Sequence, residues 1–253
     1  MDVTFGDPEA NMKAIKKKVQ QIHNESSIDI LVLPELWNTG YDLSRLTDIG
    51  DWQGEKTQAF LSDLATQYNI SVVGGSISKT TEDGATNTLY AYDRKGENLI
   101  EYSKAHLFQL MDEHHYLKSG NEQGSFTIEG LPSSGIICYD LRFPEWIRTH
   151  TSKGAEVLFV VAQWPKVRVD HWRALLISRA IENQCYVVAC NRVGSDPKTE
   201  FGGHSMVINP WGDVISEAGT EETLLTATID SSEVKKIRKQ IPIFQDRRPE
   251  IYE

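Results

Sequence analysis

A cysteine that ends an apolar run is the first candidate for chemistry in this 253-residue sequence. Cys138 closes the run 135–138 and is followed by Pro144, a residue that suits the first turn of a helix. A thiol at such a strand-to-helix turn is predicted to be exposed at a sheet edge, near backbone N–H groups and a helix N-terminus that favour thiolate. It could serve as a nucleophile. The alternative is a buried cysteine that acts as a small hydrophobic residue.

Two charged residues occupy comparable places in the sequence. Glu35 follows the apolar run 28–33, where desolvation raises the pKa of a carboxyl towards that of a working base. Lys104 lies late in the strand-like run 99–107. Each has an ordinary alternative, because a carboxylate at a strand end often caps the next turn and a lysine usually reaches water.

Taken together, these three segments resemble the Glu-Lys-Cys constellation of the nitrilase superfamily of carbon-nitrogen hydrolases. The motifs occur in the same order, each with several matching neighbours, and the resemblance covers nearly the whole chain. Within the superfamily it is nearest to the bacterial ω-amidase-like branch, which includes members associated with methionine salvage. The matching segments are Pro-Glu-Leu at 34–36, Gly-Tyr at 40–41, 102–107, 106–114, 137–145, 162–165, 171–172, 179–183, 203–205 and Asn-Pro-Trp-Gly at 209–212.

The resemblance implies a role for each residue of the constellation. Cys138 would be the nucleophile that forms a thioester, and Glu35 the base that takes its proton. Lys104 and the backbone N–H of Tyr139 would stabilise the oxyanion. Glu113 would orient Lys104 or the attacking water; without the resemblance it would be interpreted as a carboxylate on a helix surface.

The substrate implied by the resemblance is an ω-amide of a dicarboxylic acid, with 2-oxoglutaramate, hydrolysed to 2-oxoglutarate and ammonia, favoured. Its far carboxylate needs a cation or a fork of donors, for which Arg168 and His171 are candidates; surface placement is the alternative for Arg168. Trp164 and Tyr41 are expected to form walls of the site. Arg142 is interpreted as the partner of a nearby carboxylate that fixes the Cys138 turn.

Other functions stay open at this point. A nitrilase or an N-carbamoyl hydrolase would use the same triad, and a Cys-His hydrolase could pair Cys138 with one of the seven histidines, of which His171 and His204 are the ones to test. A non-enzymatic interaction protein would use its acidic surface. A metal site at His114 and His115 is disfavoured because adjacent side chains point apart. No metal and no cofactor are expected.

Composition narrows the class of protein. The 26 Lys and Arg against 36 Asp and Glu give a net charge of −10, which argues against nucleic acid as the main partner. No run approaches the roughly 18 to 20 apolar residues of a membrane span, and no secretion signal is recognisable. Three cysteines are too few for a disulfide scaffold, which indicates a cytoplasmic protein. Cys185 and Cys190, which flank the run 186–189, are predicted to be core residues.

Short apolar runs that alternate with helical periodicity predict an α/β fold. The resemblance specifies it as an αββα sandwich of mixed sheets covered by helices. Strands are predicted at 28–33, 70–73, 89–92, 136–138, 157–162, 186–189, 205–208 and 224–229. Helices are predicted at 8–23, 55–68, 172–181 and 232–240.

The absence of a linker or repeat predicts one domain over residues 1–253. Residues 241–253 are interpreted as a C-terminal arm that buries its apolar side chains against something else, and the resemblance implies a homodimer with exchanged arms. By the family pattern a core strand is expected upstream of residue 1.

Overall fold

Short runs of β-branched and aliphatic residues form the strands of two sheets. A computed structural model describes residues 1–25 and 27–252; Glu253, the last residue of the predicted arm, lies outside them. The first sheet contains β1 (Ile30–Val32), β2 (Asp51–Trp52), β3 (Ser71–Thr81), β4 (Gly84–Tyr92) and β5 (Asn98–Ser103). The second sheet contains β6 (Ser125–Ile128), β7 (Leu131–Ile137), β8 (Val157–Ala162), β9 (Tyr186–Asn191), β10 (Met206–Ile208) and β11 (Val214–Glu217).

The helices connect and cover these sheets. They are α1 (Pro8–Glu25), α2 (Leu46–Ile49), α3 (Glu55–Tyr68), α4 (Glu113–Tyr116), α5 (Pro144–Thr151), α6 (Val169–Asn183), α7 (Ser231–Gln240) and α8 (Ile243–Asp246). Single 3₁₀ turns occur at Leu43–Arg45, Gln109–Met111, Cys138–Arg142, Lys166–Arg168 and Pro249–Ile251. Within the described residues, no helix is both long and apolar enough to cross a bilayer.

Both sheets are mixed. In the first, β1 and β2 pair in parallel with β3, and β3, β4 and β5 follow as antiparallel neighbours. In the second, the order is β11-β10-β9-β8-β7-β6, with β7, β8 and β9 parallel. The helices α5 and α6 make the crossovers between these parallel strands, so the ends of β7, β8 and β9 meet at one edge.

Side chains alternate between the two faces of each strand, so each sheet packs on the other sheet with one face and on helices with the opposite face, which gives four layers. Leu89 and Ala91 of β4 belong to an apolar cluster with Phe159 of β8, between the two sheets. Their neighbours Tyr90 and Tyr92 belong to a second cluster, with α1 and α3. On the other side of the molecule, α5 and α6 pack on the second sheet. The predicted αββα sandwich is therefore confirmed.

Several element bounds match the predictions, and one predicted strand is wrong. The helix at 55–68 and the strand at 157–162 occupy the predicted residues, and α5 begins at Pro144. Residues 224–229 form no strand. Leu224 is half exposed there, and a strand needs a hydrogen-bonding partner that this segment does not find.

The C-terminal segment is not simply extended. It contains α8 and the 3₁₀ turn Pro249–Ile251, and the centre of the Phe244 ring lies 5.3 Å from the Arg148 guanidinium and 4.8 Å from that of Arg238. Ile251 and Tyr252 stay exposed.

Candidate active site

The three chemically distinctive side chains come from the ends of three strands. Glu35 lies three residues after β1, Lys104 directly follows β5, and Cys138 directly follows β7. The first two belong to one sheet and the third to the other, so the face-to-face packing of the sheets brings them together. The exposed fraction is 0% for Glu35 and Lys104 and 5% for Cys138.

The turn that carries the cysteine is held from two sides. Cys138 has a φ of +45°, a left-handed conformation that is uncommon for a residue with a side chain. The buried Asp140 carboxylate accepts hydrogen bonds from the Ile137 N–H at 3.1 Å and the Tyr102 hydroxyl at 2.7 Å. Arg179 of α6 donates twice to the Leu141 carbonyl, at 3.1 and 2.8 Å. These bonds maintain the strained turn.

Around Lys104 lies a group of four side chains, Glu35, Tyr41, Lys104 and Glu113, called here the buried cluster. The Lys104 ammonium donates to Glu35 at 2.8 Å and to Glu113 at 2.7 Å. The Tyr41 hydroxyl lies 3.0 Å from the same Glu35 oxygen and 2.7 Å from the same Glu113 oxygen. Glu113 also accepts from the Phe108 N–H at 2.7 Å, which fixes the carboxylate.

The charges of the buried cluster depend on one another. Burial alone lowers the pKa of Lys104, but the charges of Glu113 and Glu35 outweigh it and hold that pKa well above the usual value. Burial raises the pKa of Glu113, an effect that Lys104 opposes and Glu35 reinforces. The result is an ammonium ion held charged in the protein interior, next to the thiol.

The thiol itself differs from the sequence prediction. Cys138 is buried rather than exposed, and its pKa is raised well above the usual value, by burial first and then by the charge of Glu35. Lys104 lowers that pKa and Glu113 raises it. The thiol is therefore protonated at neutral pH, and the predicted preference for thiolate is wrong because burial and the charge of Glu35 outweigh the opposing charge of Lys104. Such a thiol needs a base, and Glu35 is adjacent.

Beyond the thiol lie three basic side chains, Arg142, Arg168 and His171, called here the cationic rim. The Arg142 guanidinium lies 4.7 Å from the centre of the Trp164 ring and 3.4 Å from the His171 Nδ1. Burial first, and then the positive charge of Arg168, lower the Arg142 pKa, while Cys138 acts in the opposite direction. The Arg168 guanidinium lies 5.4 Å from the centre of the Phe108 ring.

The prediction for Arg142 is wrong. Within residues 1–25 and 27–252, no carboxylate forms an ion pair with Arg142. Arg179, rather than Arg142, holds the Cys138 turn, by bonding to a carbonyl that only the folded chain brings within reach.

The other residues predicted at the site differ in burial and contacts. Trp164 is buried with its indole N–H on the Arg168 carbonyl, the Tyr139 ring packs on Phe108, and His171 is exposed.

Two residues at the site were not identified from the sequence. The Asn87 amide donates to Glu35 at 2.8 Å, and Gln163 donates to the other Glu35 oxygen from its backbone at 2.8 Å. Asn87 could have been found by alternation, because it shares a strand face with Leu89 and Ala91 and is the polar member of that apolar row. Gln163 also donates from its side-chain amide to the Glu35 backbone carbonyl at 2.6 Å, and its place as the polar residue directly after the apolar run 157–162 is the signal that could have identified it.

Comparison with known proteins matches this site to a family. Residues 1–239 match the family model described as carbon-nitrogen hydrolase. The chain is 51% identical to the 2-oxoglutaramate amidase of Bacillus subtilis, over 99% of this chain and 96% of that protein. It is 34% identical to the omega-amidase YafV of Escherichia coli K12, over 95% of this chain and 91% of that protein.

A solved structure gives the same fold. A CN-hydrolase superfamily protein of Xanthomonas campestris superimposes with a TM-score of 0.90 at 28% identity, covering 98% of this chain and 94% of the other. The predicted family and the predicted class of enzyme are both confirmed. The chain, with its thiol, carboxylates and ammonium group at the meeting edge of two sheets, belongs to the carbon-nitrogen hydrolase family of amide-cleaving enzymes.

Proposed function

We propose that the protein hydrolyses the ω-amide of 2-oxoglutaramate, giving 2-oxoglutarate and ammonia through a thioester on Cys138. The observation that carries this proposal is a protonated thiol buried beside a carboxylate and an ammonium group. The names of the B. subtilis and E. coli relatives support the ω-amide as substrate.

In the first half of the reaction, the Cys138 sulfur attacks the amide carbonyl carbon while Glu35 takes the thiol proton. The developing oxyanion accepts hydrogen bonds from the Lys104 ammonium and the Tyr139 backbone N–H. When the tetrahedral intermediate collapses, the C–N bond breaks, Glu35 gives its proton to the nitrogen, and ammonia leaves. The carbonyl is then bonded to sulfur as a thioester.

In the second half, Glu35 takes a proton from water as the water oxygen attacks the thioester carbon. The same two donors stabilise the second oxyanion. The C–S bond then breaks and the departing sulfur recovers the proton from Glu35. Glu113 acts by holding the Lys104 ammonium, to which it is bonded at 2.7 Å.

For the far carboxylate of the substrate, the cationic rim is the proposed partner, with Arg142 as the main contact. Its guanidinium is part-buried, close enough to Cys138 for the two groups to affect each other electrostatically, and free of any ion pair with a described carboxylate. Arg168 adds a second positive charge, and the exposed His171 ring lies beside Arg142. Trp164 and Tyr41 line the site.

We propose also that residues 1–253 form one domain and that the protein is a cytoplasmic homodimer with Cys138, Cys185 and Cys190 reduced. All three cysteines are free. The apolar side chains of Ile181, Trp211 and Ile215 are about half exposed, as are those of Ile251 and Tyr252 on the C-terminal arm. Light scattering after size exclusion tests the dimer.

The experiment that tests the reaction is ammonia release from a panel of ω-amides, nitriles and N-carbamoyl compounds, with intact mass spectrometry to detect an acyl adduct. We expect 2-oxoglutaramate to be the best substrate and Cys138→Ala to abolish both turnover and adduct. Full activity in Cys138→Ala would exclude the mechanism. Faster turnover of nitriles or carbamoyl compounds would keep the mechanism and replace the substrate.

A further inference from the structure

Asn87 is fully buried on β4 and contacts both charged partners of the proposed reaction. Its Nδ2 donates to Glu35 Oε1 at 2.8 Å, and its backbone carbonyl accepts from the backbone N–H of Lys104 at 2.8 Å. The amide oxygen, by contrast, finds no partner within residues 1–25 and 27–252. An unpaired buried carbonyl carries a free-energy cost, so the amide is placed here at the expense of stability.

The two oxygens of the Glu35 carboxylate differ in how many donors they face. Oε1 accepts from Asn87 at 2.8 Å and Lys104 at 2.8 Å, and the Tyr41 hydroxyl, whose one proton is shared with the nearer Glu113, lies 3.0 Å away. Oε2 accepts from the Gln163 backbone N–H at 2.8 Å. A carboxylate oxygen has two lone pairs, so Oε1 is saturated and Oε2 keeps one lone pair for an incoming proton.

Among the donors to Oε1, Asn87 is distinct. Lys104 and Tyr41 are both shared with Glu113, and Lys104 must also turn towards an oxyanion during the proposed reaction. The Asn87 amide donates to Glu35 and carries no charge. Its bond to Oε1 therefore persists whether Oε2 is protonated or not.

We infer that Asn87 is a positioning residue that holds the Glu35 carboxylate by Oε1, so that Oε2 exchanges the proton with Cys138, water and the departing nitrogen. The inference rests on the proposed role of Glu35 as the base. A leucine has the same branched arrangement of heavy atoms, somewhat larger, without the N–H. The role of Asn87 is therefore separable from packing.

The test uses the rate at which iodoacetamide labels Cys138, followed by intact mass across pH, because this readout needs no amide substrate. In the wild-type protein the rate should fall on the acid side, because the thiol reacts only once a base has taken its proton. The pH range over which the labelling rate falls is called here the acid limb. In Asn87→Leu the Glu35 carboxylate loses a hydrogen-bond donor, so the acid limb should move to a pH higher by roughly 1 to 2 units. Turnover should fall roughly 10- to 100-fold in kcat with KM nearly unchanged.

A second variant covers the case in which Asn87→Leu does not fold. Asn87→Asp keeps the shape of the side chain and places a second carboxylate beside Glu35, which should also move the acid limb to higher pH. The matched control is Asn11→Leu, since Asn11 is a buried amide that bonds to Thr4 and Asn38 and does not touch Glu35. It should lower thermal stability and leave the acid limb in place.

The outcomes separate this inference from the proposed function. An acid limb that stays at the wild-type pH in folded Asn87→Leu or Asn87→Asp overturns the role of Asn87. A wild-type protein without an acid limb, or with one that Glu35→Gln leaves intact, overturns the role of Glu35 and the proposed mechanism with it.

Discussion

The buried cluster and the cationic rim are neighbouring regions built on opposite principles. In the buried cluster every charged side chain is fully buried and bonded to another member, with distances of 2.7 to 3.0 Å. In the cationic rim the side chains are part-buried or exposed, they are all basic, and they contact rings and one another. The first region contains its own counter-charges, whereas no carboxylate of residues 1–25 and 27–252 forms an ion pair with the two guanidinium groups of the second.

This difference follows from what each region has to do. Acid-base chemistry needs groups fixed to within a fraction of an ångström, which burial and multiple hydrogen bonds provide. Recognition of a substrate carboxylate needs positive charge that is not already neutralised, because a guanidinium in an internal ion pair has no bond left to offer. The rates of the proposed chemistry should therefore depend on the buried cluster, and substrate choice on the rim.

Removal of the ammonium group from the buried cluster should have the largest effect. Lys104→Met leaves two carboxylates buried without their cation, so unfolding free energy should fall by about 3 to 5 kcal/mol. Loss of an oxyanion donor should lower kcat by roughly 100-fold or more. Because Lys104 lowers the Cys138 pKa, labelling of the thiol by iodoacetamide at pH 7 should also slow.

Lys79→Met is the matched control for that change. Lys79 pairs with Glu101 across the same sheet, and the two side chains are 18% and 43% exposed. Its loss should cost less than about 1 kcal/mol and leave turnover unchanged. If Lys104→Met and Lys79→Met had equal effects on stability and turnover, the proposed difference between the buried ion pairs of Lys104 and the more exposed pair of Lys79 would be wrong.

Glu113→Gln should separate thiol reactivity from turnover. The charge of Glu113 raises the pKa of Cys138, so its removal should lower that pKa and increase the labelling rate at pH 7, by roughly tenfold for each pH unit by which the pKa falls. The sign is fixed, since below the thiol pKa the thiolate fraction rises as that pKa falls. The kcat should nevertheless drop by roughly 10-fold or more, because Lys104 loses an anchor.

Measurement of the labelling rate and the turnover rate on the same Glu113→Gln preparation shows whether Glu113 affects the thiol and Lys104 separately. A parallel fall in labelling and turnover would mean that the substitution disturbs the whole site and that Glu113 has no separate role in holding Lys104. A glutamine keeps the hydrogen bond to the Phe108 N–H available, which protects the local fold.

In the cationic rim, Arg142→Met should act on binding. For an ω-amide with a free far carboxylate, KM should rise roughly 10- to 100-fold, the equivalent of one charge-assisted hydrogen bond, with kcat within a few-fold. For the matching neutral amide, with that carboxylate esterified, KM should not change. Arg173→Met is the control, because Arg173 lies on α6 and pairs with Glu217 at 3.1 Å. A kcat defect with an unchanged KM would place Arg142 in the chemistry instead.

The sequence predicts the buried cluster better than the rim, for a physical reason. Glu35, Lys104 and Cys138 each follow an apolar run, and strand ends in a sheet sandwich converge whatever the intervening loops do. The same logic predicts β8 at 157–162 correctly. It cannot predict the raised pKa of the Cys138 thiol, which depends on burial first and then on the charges of Glu35 and Glu113 from distant segments.

The wrong predictions from sequence concern features that depend on whether a partner group lies within reach in the folded chain. Arg142 is predicted to pair with a carboxylate, but whether one lies within reach is decided by the packing of other segments. The run at 224–229 has strand-like composition, yet no neighbouring described strand pairs with it. Asn87 needs the register of β4 with β5, since its carbonyl meets the Lys104 N–H only across that pair.

Arg168→Met should have the smallest effect and sharpen the order within the rim. Arg168, like Arg142, is half-buried, and its guanidinium lies over the Phe108 ring beside the 3₁₀ turn Lys166–Arg168. Because Arg142 is the proposed main contact of the far carboxylate, KM for the anionic ω-amide should rise only roughly 2- to 5-fold in Arg168→Met. If Arg142→Met and Arg168→Met change KM equally, and the double variant changes it no further, the two guanidinium groups bind the substrate carboxylate jointly. A larger effect of Arg168 would mean that the carboxylate lies nearer the Phe108 side of the site, and the proposed orientation of the substrate would have to be reversed.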